Sequence, residues 1–312
     1  MLNNITEERM KRLRLALYEK NVEKIYASPP KNQAVMEFYQ NEAYKQYKDN
    51  PFDINKEKEK FQNYILCYAL KDRISAIGAN HDNYYIWGMM PKDVTIEKIT
   101  TAIKKNKRII FAEDGFLRSI VTYAKQLPAD EICYQGAASY IIDDLTFYFD
   151  ATRQSRMEII LNSDYEISKE EIKRVKSLMN KILKLKISKY NSQPIYTPKV
   201  GTNGRKKILV IDQSYNDYSI LKGMADKSTF ENMLKTAIDE NPGSDIIIKT
   251  HPDSIGVNSL KPLNYYKNIN EEKNIYKITE EINPICLMES VDKVYAVTSQ
   301  LGFEALMAKK EV

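Results

Sequence analysis

Two adjacent carboxylates, Glu113 and Asp114, follow a short apolar run that predicts a buried β-strand. Gly115 comes next and allows the backbone to turn sharply. In α/β proteins, ligands bind in the crevice beyond the carboxyl ends of the strands, so carboxylates at this position could act on a substrate. A solvated acidic turn explains the same residues when they are considered alone. The rest of the chain favours a site.

Four further groups of polar residues come directly after predicted strands or at the start of the next helix. Each also has a structural explanation: Asp217 could cap a turn, His251 could be hydrogen-bonded within the fold, and Ser299 could cap a helix. Their recurrence at strand ends favours ligand binding over separate structural roles. The four groups are Asp212-Gln213 with Asp217 and Ser219, Lys249-Thr250-His251-Pro252, Asn283-Pro284 with Glu289, and Thr298-Ser299-Gln300.

These residue types suit the transfer of a sugar from an activated nucleotide. Backbone N–H groups of a helix that begins after Ser299 can bind a phosphate, and Lys249 and His251 can add charge or hydrogen bonds. Glu113 and Asp217, one from each predicted domain, provide the two carboxylates that transfer through a covalent intermediate requires. The sequence contains no Asp-x-Asp motif, which disfavours a metal-dependent GT-A transferase, and no P-loop motif. We therefore expect a nucleotide-sugar donor and neither a metal nor another cofactor.

Apolar runs that alternate with helical patterns predict an α/β protein with parallel sheets. The segment 191–206, rich in proline, glycine and polar residues, is the predicted linker. It separates residues 61–190, an N-terminal Rossmann-like domain on the acceptor side, from residues 207–312, a C-terminal Rossmann-like nucleotide domain, while residues 1–60 are predicted to form a helical segment. Two such domains facing a cleft describe a GT-B-like fold, and the second is expected to be incomplete at its C-terminus.

Helix starts can also be placed from the sequence. Ser168 with Glu171, and Ser228 with Glu231, each fit the spacing of a capping box. The helix after Ser168 is predicted to carry an apolar face made of Ile172, Val175, Met179 and Ile182.

The bulk composition limits the class of protein. The chain has 312 residues, of which 29% are charged and 43% hydrophobic, as in ordinary soluble globular proteins. Its 47 basic and 42 acidic residues give a formal charge of +5, which suits an acidic substrate or an anionic membrane edge but is too small to indicate nucleic acid binding. Three widely spaced cysteines indicate a reducing compartment, and no segment resembles a membrane span. We expect a cytoplasmic protein, at most peripheral to the inner membrane.

Several motifs occur together in a recognisable order. They are Trp87-Gly88, Glu113-Asp-Gly-Phe-Leu-Arg-Ser119, Tyr148–Ser155, Asp212-Gln-x-x-x-Asp217-x-Ser219, Lys249-Thr-His-Pro252, Asn283–Glu289 and Thr298-Ser-Gln-Leu-Gly-Phe-Glu-Ala-Leu306. In this order they resemble the bacterial retaining β-Kdo glycosyltransferases of capsule and O-antigen assembly, the KpsC type. The resemblance covers residues 85–312 and is most specific from Val297 to Leu306.

The resemblance implies a GT-B fold and transfer of Kdo from CMP-β-Kdo to a lipid-linked glycan acceptor, with net retention by double displacement. It implies that Asp217 is the nucleophile and Glu113 the acid/base catalyst, with Asp114 as its support or rival. The residues that it implies for holding CMP are Lys249, His251, Pro252, Glu289, Ser299 and Gln300. Candidates for contacts to the sugar, including its carboxylate, are Arg118, Ser119, Arg153, Gln213 and Ser219.

Two other functions stay open. An inverting sialyl- or polysialyltransferase also uses a CMP-activated nonulosonic acid and has similar acidic and His-Pro motifs, but its chemistry needs one general base and no nucleophile. A catalytically silent adaptor in capsule export could keep the fold without the activity. The residues around Gly302 favour the Kdo transferase. No nucleic acid partner is expected, whereas a further module or an export-complex partner would suit an incomplete second domain.

Overall fold

The computed structural model describes most of the chain from residue 138 onward and shorter stretches before it. The described residues are 41, 44–45, 47–51, 83–87, 100–102, 104–105, 107–122, 138–254, 263–272 and 274–312. Several predicted elements lie outside these ranges, among them nearly all of the helical segment 1–60, the apolar run Tyr64–Leu70 and the short helix after Ser119.

The chain divides into two compact units. Among the described residues, the first unit contains those up to Gly115 and those from 138 to Tyr165, and the second contains 116–122 and Glu166–Val312. The domain boundaries that the sequence indicates, on either side of residues 191–206, stay a prediction.

The first unit contains a three-stranded sheet, and its central strand ends at the paired carboxylates. Its strands, in the order in which they lie, are β1 (Asn83–Trp87), β2 (Arg108–Asp114) and β3 (Tyr140–Asp143). β2 is the central strand, and its apolar run is fully buried. Phe111 packs on Phe147 with the ring centroids 4.9 Å apart. β1 is parallel to β2, as predicted, but β3 runs antiparallel, so the sheet is mixed. One helix, α1 (Arg156–Leu161), follows in this unit.

Gly115 is required by a close backbone approach at the end of β2. Its N–H donates to the carbonyl oxygen of Ser139 at 2.9 Å. A Cβ atom at position 115 would lie 2.6 Å from the backbone nitrogen of Tyr140 and 2.4 Å from Ser139 Oγ. Backbone atoms cannot move aside without opening the β2–β3 pairing, so the glycine fixes the place where Glu113 and Asp114 leave the sheet.

We expect Gly115→Ala to lower the free energy of unfolding by about 1–3 kcal/mol, the usual cost of overpacking. Urea denaturation of the full chain measures this change. Gly204→Ala separates the clash from backbone strain, because a Cβ there meets no atom within 4 Å but φ +82° is unfavourable for alanine. If Gly115→Ala were no less stable than the native chain, the close approach to β3 would not be a constraint.

The second unit is built on a fully parallel four-stranded sheet. Its strands lie in the order β6 (Ile275–Ile278), β5 (Asp245–Lys249), β4 (Lys207–Ile211) and β7 (Lys293–Tyr295). β4 and β5 are almost continuously buried, as expected for strands covered on both faces. This arrangement confirms the predicted α/β architecture with a parallel sheet.

Helices cover both faces of this sheet. On one face Phe230, Met233 and Ala237 of α4 pack against alternate residues of β4 and β5. On the other, Leu287 of α5 and Ala305 of α6 pack against the remaining alternate residues. The helices of the second unit are α2 (Lys169–Lys184), α3 (Tyr218–Lys222), α4 (Lys227–Glu240), α5 (Pro284–Glu289) and α6 (Gln300–Met307).

The predicted helix starts are partly correct. Ser168 and Glu171 form a complete capping box at the start of α2. The capping box predicted for Ser228 and Glu231 is wrong, because α4 begins earlier, with Asp226 as its N-cap. The Asp226 carboxylate accepts a hydrogen bond from the backbone N–H of Thr229 at 3.0 Å, and the Ser228 hydroxyl donates to the same carboxylate. An aspartate in extended geometry two residues earlier satisfies the first-turn N–H groups.

Within the described ranges, none of the helices combines the length and the hydropathy that a bilayer-spanning segment needs.

Candidate functional site

The segments that follow β4, β5 and β7 meet at the carboxyl edge of the second unit's sheet. They do so because β4 pairs in parallel with both neighbours, so the chain leaves all three strands at the same edge. Gln213, after β4, and Thr298, after β7, form a reciprocal pair: Gln213 Nε2 donates to Thr298 Oγ1 at 2.9 Å, and the Thr298 N–H donates to Gln213 Oε1 at 3.1 Å. Two of the predicted strand-end groups are therefore in direct contact.

His251, after β5, contacts the same loop through Ser214. Its Nδ1 lies 3.2 Å from Ser214 Oγ and accepts a hydrogen bond from the backbone N–H of Asp253 at 3.1 Å. Because an imidazole nitrogen that accepts an N–H carries no proton, the ring proton of neutral His251 is on Nε2. A short 3₁₀ turn, Pro252–Ser254, follows His251 and fixes this orientation. It begins at Pro252, which was predicted as a CMP-site residue. His251 is thus arranged to donate a hydrogen bond from Nε2.

Asp217 stands at the start of α3 and acts as its N-cap. Its Oδ1 accepts hydrogen bonds from the backbone N–H of Ser219 at 3.0 Å and from the Ser219 hydroxyl at 2.8 Å. Ser219 Oγ also lies 3.5 Å from Thr298 Oγ1, so the half-buried Asp217 carboxylate belongs to the same cluster as Gln213. Asn216, which precedes it, has φ 55°, a left-handed conformation that asparagine tolerates and that turns the chain into α3.

Two buried ionisable groups lie next to this cluster along the chain. The Asp212 carboxylate accepts hydrogen bonds from the backbone N–H groups of Gln213 at 2.9 Å and Tyr265 at 3.0 Å, and burial raises its pKa to about 7. Lys249 Nζ donates to the carbonyl oxygens of Thr250 at 2.8 Å and Glu280 at 3.2 Å, and burial lowers its pKa to about 8. The sequence motif included both residues, but only the structure shows that Lys249 points into the protein and that Asp212 ties Tyr265 to β4.

Ser299 and Gln300 begin the last described helix. Ser299 is the N-cap of α6, as predicted, and accepts a hydrogen bond from the Leu301 N–H at 3.3 Å. The side chain of Gln300 is held elsewhere: its Nε2 donates to the Phe116 carbonyl oxygen at 2.8 Å and to Glu304 Oε1 at 3.2 Å. Ser299 therefore contributes the helix N-terminus, and Gln300 connects that helix to residues 116–122.

Glu304 is a buried residue whose role the sequence did not suggest. Only 1% of it is exposed, and its carboxylate accepts hydrogen bonds from the Ser188 hydroxyl at 2.8 Å and from Gln300. Burial raises its pKa to about 7. The only available signal is an acidic residue among apolar neighbours in α6, where Leu301, Phe303 and Leu306 surround it in sequence.

Arg118 and Ser119 lie beside this buried network. Both backbone N–H groups donate to the carbonyl oxygen of Lys189, at 3.0 and 3.1 Å, and Asn191 Nδ2 donates to the Ser119 carbonyl oxygen. Arg118 Nη1 donates to Ser119 Oγ at 2.9 Å, and both residues are buried. Glu304, through Gln300 and Ser188, thus joins α6 to the two segments that position Arg118 and Ser119.

The Asn283–Glu289 motif serves mainly to build a helix. Buried Asn283 is the N-cap of α5, and its Nδ2 donates to the carbonyl oxygen of Lys186 at 2.7 Å. Glu289, at the last position of α5, is exposed and forms an ion pair with Lys186. Both therefore contact the segment after α2.

The predicted residues of the first unit lie on β2 and near α1. Glu113 and Asp114 are half-buried, and Glu113 Oε1 accepts a hydrogen bond from the Asp114 N–H at 2.9 Å. Arg153 Nη1 donates to Asn41 Oδ1 at 3.1 Å, and its Nε lies 3.7 Å from Asp150 Oδ2. Across the described residues, no group of three or more His, Cys, Asp or Glu side chains is arranged to hold a metal ion.

The Gln213–Thr298 pair should contribute measurably to stability. We expect Gln213→Ala to lower the free energy of unfolding by about 1–3 kcal/mol, because it leaves the Thr298 N–H and hydroxyl without their partner at the sheet edge. Urea denaturation provides the measurement. Asn232→Ala, an amide removed from an exposed position of α4, is the matched control. Equal stability of the two variants would show that the pair does not hold β4 and β7 together at this edge.

Known proteins are similar to this chain in sequence and, in one case reported below, in structure. A family model described as capsule polysaccharide biosynthesis protein matches residues 163–312. The chain is 37% identical over 227 residues to the capsule polysaccharide modification protein LipA of Neisseria meningitidis serogroup A. The aligned region covers 72% of this chain and 30% of LipA. It is 32% identical over 236 residues to the lipopolysaccharide-processing protein LpsZ of Rhizobium meliloti, covering 73% of this chain and 49% of LpsZ.

A solved structure matches as well. The beta Kdo 2,4 transferase of Thermosulfurimonas dismutans KpsC superposes with a TM-score of 0.63 at 33% identity, over 73% of this chain and 67% of that chain. The parallel sheet, its strand-end cluster and these matches define a protein of capsule polysaccharide biosynthesis. Within that class, the chain belongs to the KpsC-type capsule proteins. It spans 30% and 49% of the lengths of LipA and LpsZ, the curated relatives named above.

Proposed function

We propose that this chain is a glycosyltransferase that moves Kdo from CMP-β-Kdo to a glycan acceptor in capsule or O-antigen assembly. The observation that carries the proposal is the match to a beta Kdo 2,4 transferase at 33% identity over two thirds of that chain. The cluster of Gln213, Ser214, Asp217, His251 and Thr298 supports it, because this cluster lies at the sheet edge where α/β enzymes bind ligands.

In this proposal the second unit is the nucleotide domain of a GT-B-like enzyme. The N-terminus of α6 after Ser299 offers backbone N–H groups and the positive end of the helix dipole to the CMP phosphate. His251 donates from Nε2 to a phosphate oxygen or to the base. Lys249 is hydrogen-bonded to two carbonyl oxygens, and it contributes positive charge without contacting the phosphate. No metal takes part, since helix and side-chain donors stabilise the departing phosphate.

Double displacement assigns one step to each carboxylate. Asp217 attacks the anomeric carbon, the bond to CMP breaks, and the departing phosphate takes the bonding electrons. Glu113 then removes the proton of the acceptor hydroxyl, which attacks the same carbon and releases Asp217. Two inversions give net retention. Ser219 orients the nucleophile, because its backbone N–H and hydroxyl both bind Asp217 Oδ1. Asp114 is adjacent to Glu113 and is its support or its rival.

Recognition of the sugar needs a partner for its carboxylate. Arg118, Ser119 and Arg153 are the candidates, with Gln213 for further polar contacts. Arg118 and Arg153 already bind protein groups, Ser119 Oγ and Asn41 Oδ1. Binding through either arginine therefore requires it to exchange or share these partners. Glu289 is proposed at the ribose, and its exposure leaves it accessible.

We place the enzyme in the cytoplasm, at most peripheral to the inner membrane, where CMP-activated sugars and lipid-linked glycans meet. A further module or an export-complex partner is part of this proposal, given the share of its relatives that the chain spans.

The test is incubation of the full chain with CMP-Kdo and a synthetic acceptor, followed by mass spectrometry of product and protein and by NMR of the new anomeric centre. We expect a product with retained configuration and a glycosylated protein peptide that contains Asp217. An inverted product would instead indicate the single-displacement chemistry of CMP-sialic acid transferases. A folded chain that binds no CMP in calorimetry would indicate a non-catalytic export adaptor.

A further inference from the structure

Helix α2 carries an apolar stripe that the described part of the second unit does not cover. The side chains of Ile172, Val175 and Leu178 are 40%, 44% and 51% exposed, and Ile182 is the buried residue of this helix. The C-terminal end of α2 is the end attached to the rest of the second unit, because Ser188, shortly after the helix, is hydrogen-bonded to buried Glu304. The N-terminal turns of α2 therefore lie on the surface with their apolar side chains in water.

Basic residues flank this stripe. After Glu171, α2 contains no further acidic residue, and both of its acidic residues are in the first turn. An open groove of the protein surface runs along the helix. Lysines make up most of its lining, with Ile172, Ser177 and Asn180, and they are Lys169, Lys173, Lys176, Lys181 and Lys184. Residues three and four apart share a helix face, so these lysines form a band beside the apolar stripe.

We propose that α2 binds the surface of an anionic membrane. The helix would lie parallel to the bilayer, with Ile172, Val175 and Leu178 among the headgroups and acyl ends and the lysines on the lipid phosphates. Lysine stems can extend past the apolar stripe and place their ammonium groups at this level. A soluble anionic glycan would use the lysines but not the exposed apolar side chains, so the combination favours lipid. Membrane binding through α2 does not depend on the sugar chemistry proposed above.

Vesicle sedimentation of the full chain tests the electrostatic part. The chain should bind vesicles that contain phosphatidylglycerol, bind poorly to pure phosphatidylcholine, and dissociate at high salt. The triple variant Lys173→Gln/Lys176→Gln/Lys181→Gln should partition more weakly on the order of 100-fold. The matched control has the same change of charge on exposed lysines elsewhere, Lys227→Gln/Lys235→Gln/Lys309→Gln. Equal weakening in the two triples would overturn the proposal, because net charge would then suffice.

The apolar part needs its own variant, Ile172→Ser/Val175→Ser/Leu178→Ser. We expect at least about tenfold weaker vesicle binding with an unchanged far-UV circular dichroism spectrum at the assay temperature. Unchanged binding, together with competition by a soluble anionic glycan, would overturn the proposal in favour of a polyanion site. A native chain that is dimeric in sedimentation and becomes monomeric in this variant would overturn it in favour of self-association. If the lysine and apolar triples lose vesicle binding while the native chain binds vesicles but transfers no Kdo, this inference holds and the proposed activity fails.

Discussion

Replacing Asp217 with asparagine is expected to reduce Kdo transfer about 10³-fold or more while CMP binding stays within about twofold of the native value. An amide cannot act as the nucleophile of a double displacement, and loss of a nucleophile removes the covalent route altogether. Asparagine keeps the N-cap geometry, since its side-chain oxygen can still accept from the Ser219 N–H. The measurements are transfer rates by mass spectrometry and calorimetric titration with CMP.

The chain offers a matched control for this substitution. Asp226 is also an N-cap aspartate that accepts a backbone N–H at 3.0 Å, but it begins α4 and lies in no predicted site. Asp226→Asn should keep full transfer activity, and both variants should unfold at similar urea concentrations. A fully active Asp217→Asn would refute the nucleophile assignment. Loss of CMP binding in the same variant would show instead that Asp217 belongs to the nucleotide site.

The sequence predicted the second unit's sheet well because each strand is a short apolar run bounded by polar residues. Lys207–Ile211 and Asp245–Lys249 are paired in parallel as expected, and the polar segments that follow them come together at one edge. A local pattern indicates each strand, and parallel pairing then places the segments that follow the strands at one edge of the sheet. β3 shows the limit: its pairing direction depends on the path of the preceding chain, which no local pattern records.

Helix starts show a similar limit. Ser168 and Ser228 fit the same sequence spacing, and only Ser168 is an N-cap. The difference is Asp226. Its carboxylate accepts a hydrogen bond from the first-turn N–H of Thr229 and another from the Ser228 hydroxyl, so Ser228 does not act as the cap. Asp and Ser are similarly favourable N-cap residues. The free energies of two helix starts within three residues of each other therefore differ by well under about 1 kcal/mol, the cost of losing a cap, and spacing alone cannot rank them.

Side-chain direction was the least predictable part of the candidate site. Lys249 ends a strand in which every residue is buried, and the fold, not the motif, decides that its ammonium group reaches carbonyl oxygens inside the protein. Gln300 likewise binds Phe116 and Glu304, which lie far from each other in sequence. The contacts of Lys249 with the Glu280 carbonyl oxygen and of Gln300 with the Phe116 carbonyl oxygen depend on tertiary packing between distant segments, and local spacing carries no information about them.

Glu304 provides the second large effect, a pH dependence of stability. Burial raises its pKa from an ordinary value of 4.5 to about 7, so the folded protein binds a proton that the unfolded chain releases between these values. The stabilisation by protonated Glu304 is therefore complete below pH 4.5 and is lost as the pH rises through 7. The expected loss is on the order of 3 kcal/mol, at about 1.4 kcal/mol for each unit of pKa. Buried Asp212, whose pKa is also raised to about 7, contributes in the same direction.

Glu304→Gln is expected to flatten this dependence without removing it, because glutamine can still accept from the Ser188 hydroxyl and carries no charge while Asp212 continues to titrate. Urea unfolding measured at half-unit intervals from pH 5 to pH 8 gives the slope for each variant. Glu231→Gln, at an exposed position of α4, is the control and should keep the native slope. A native slope in Glu304→Gln would mean that Glu304 stays ionised in the fold, with its donors outweighing burial. The hydrogen bonds from Ser188 and Gln300, which stabilise the charged carboxylate, would then be the main connection between α6 and the segments that position Arg118.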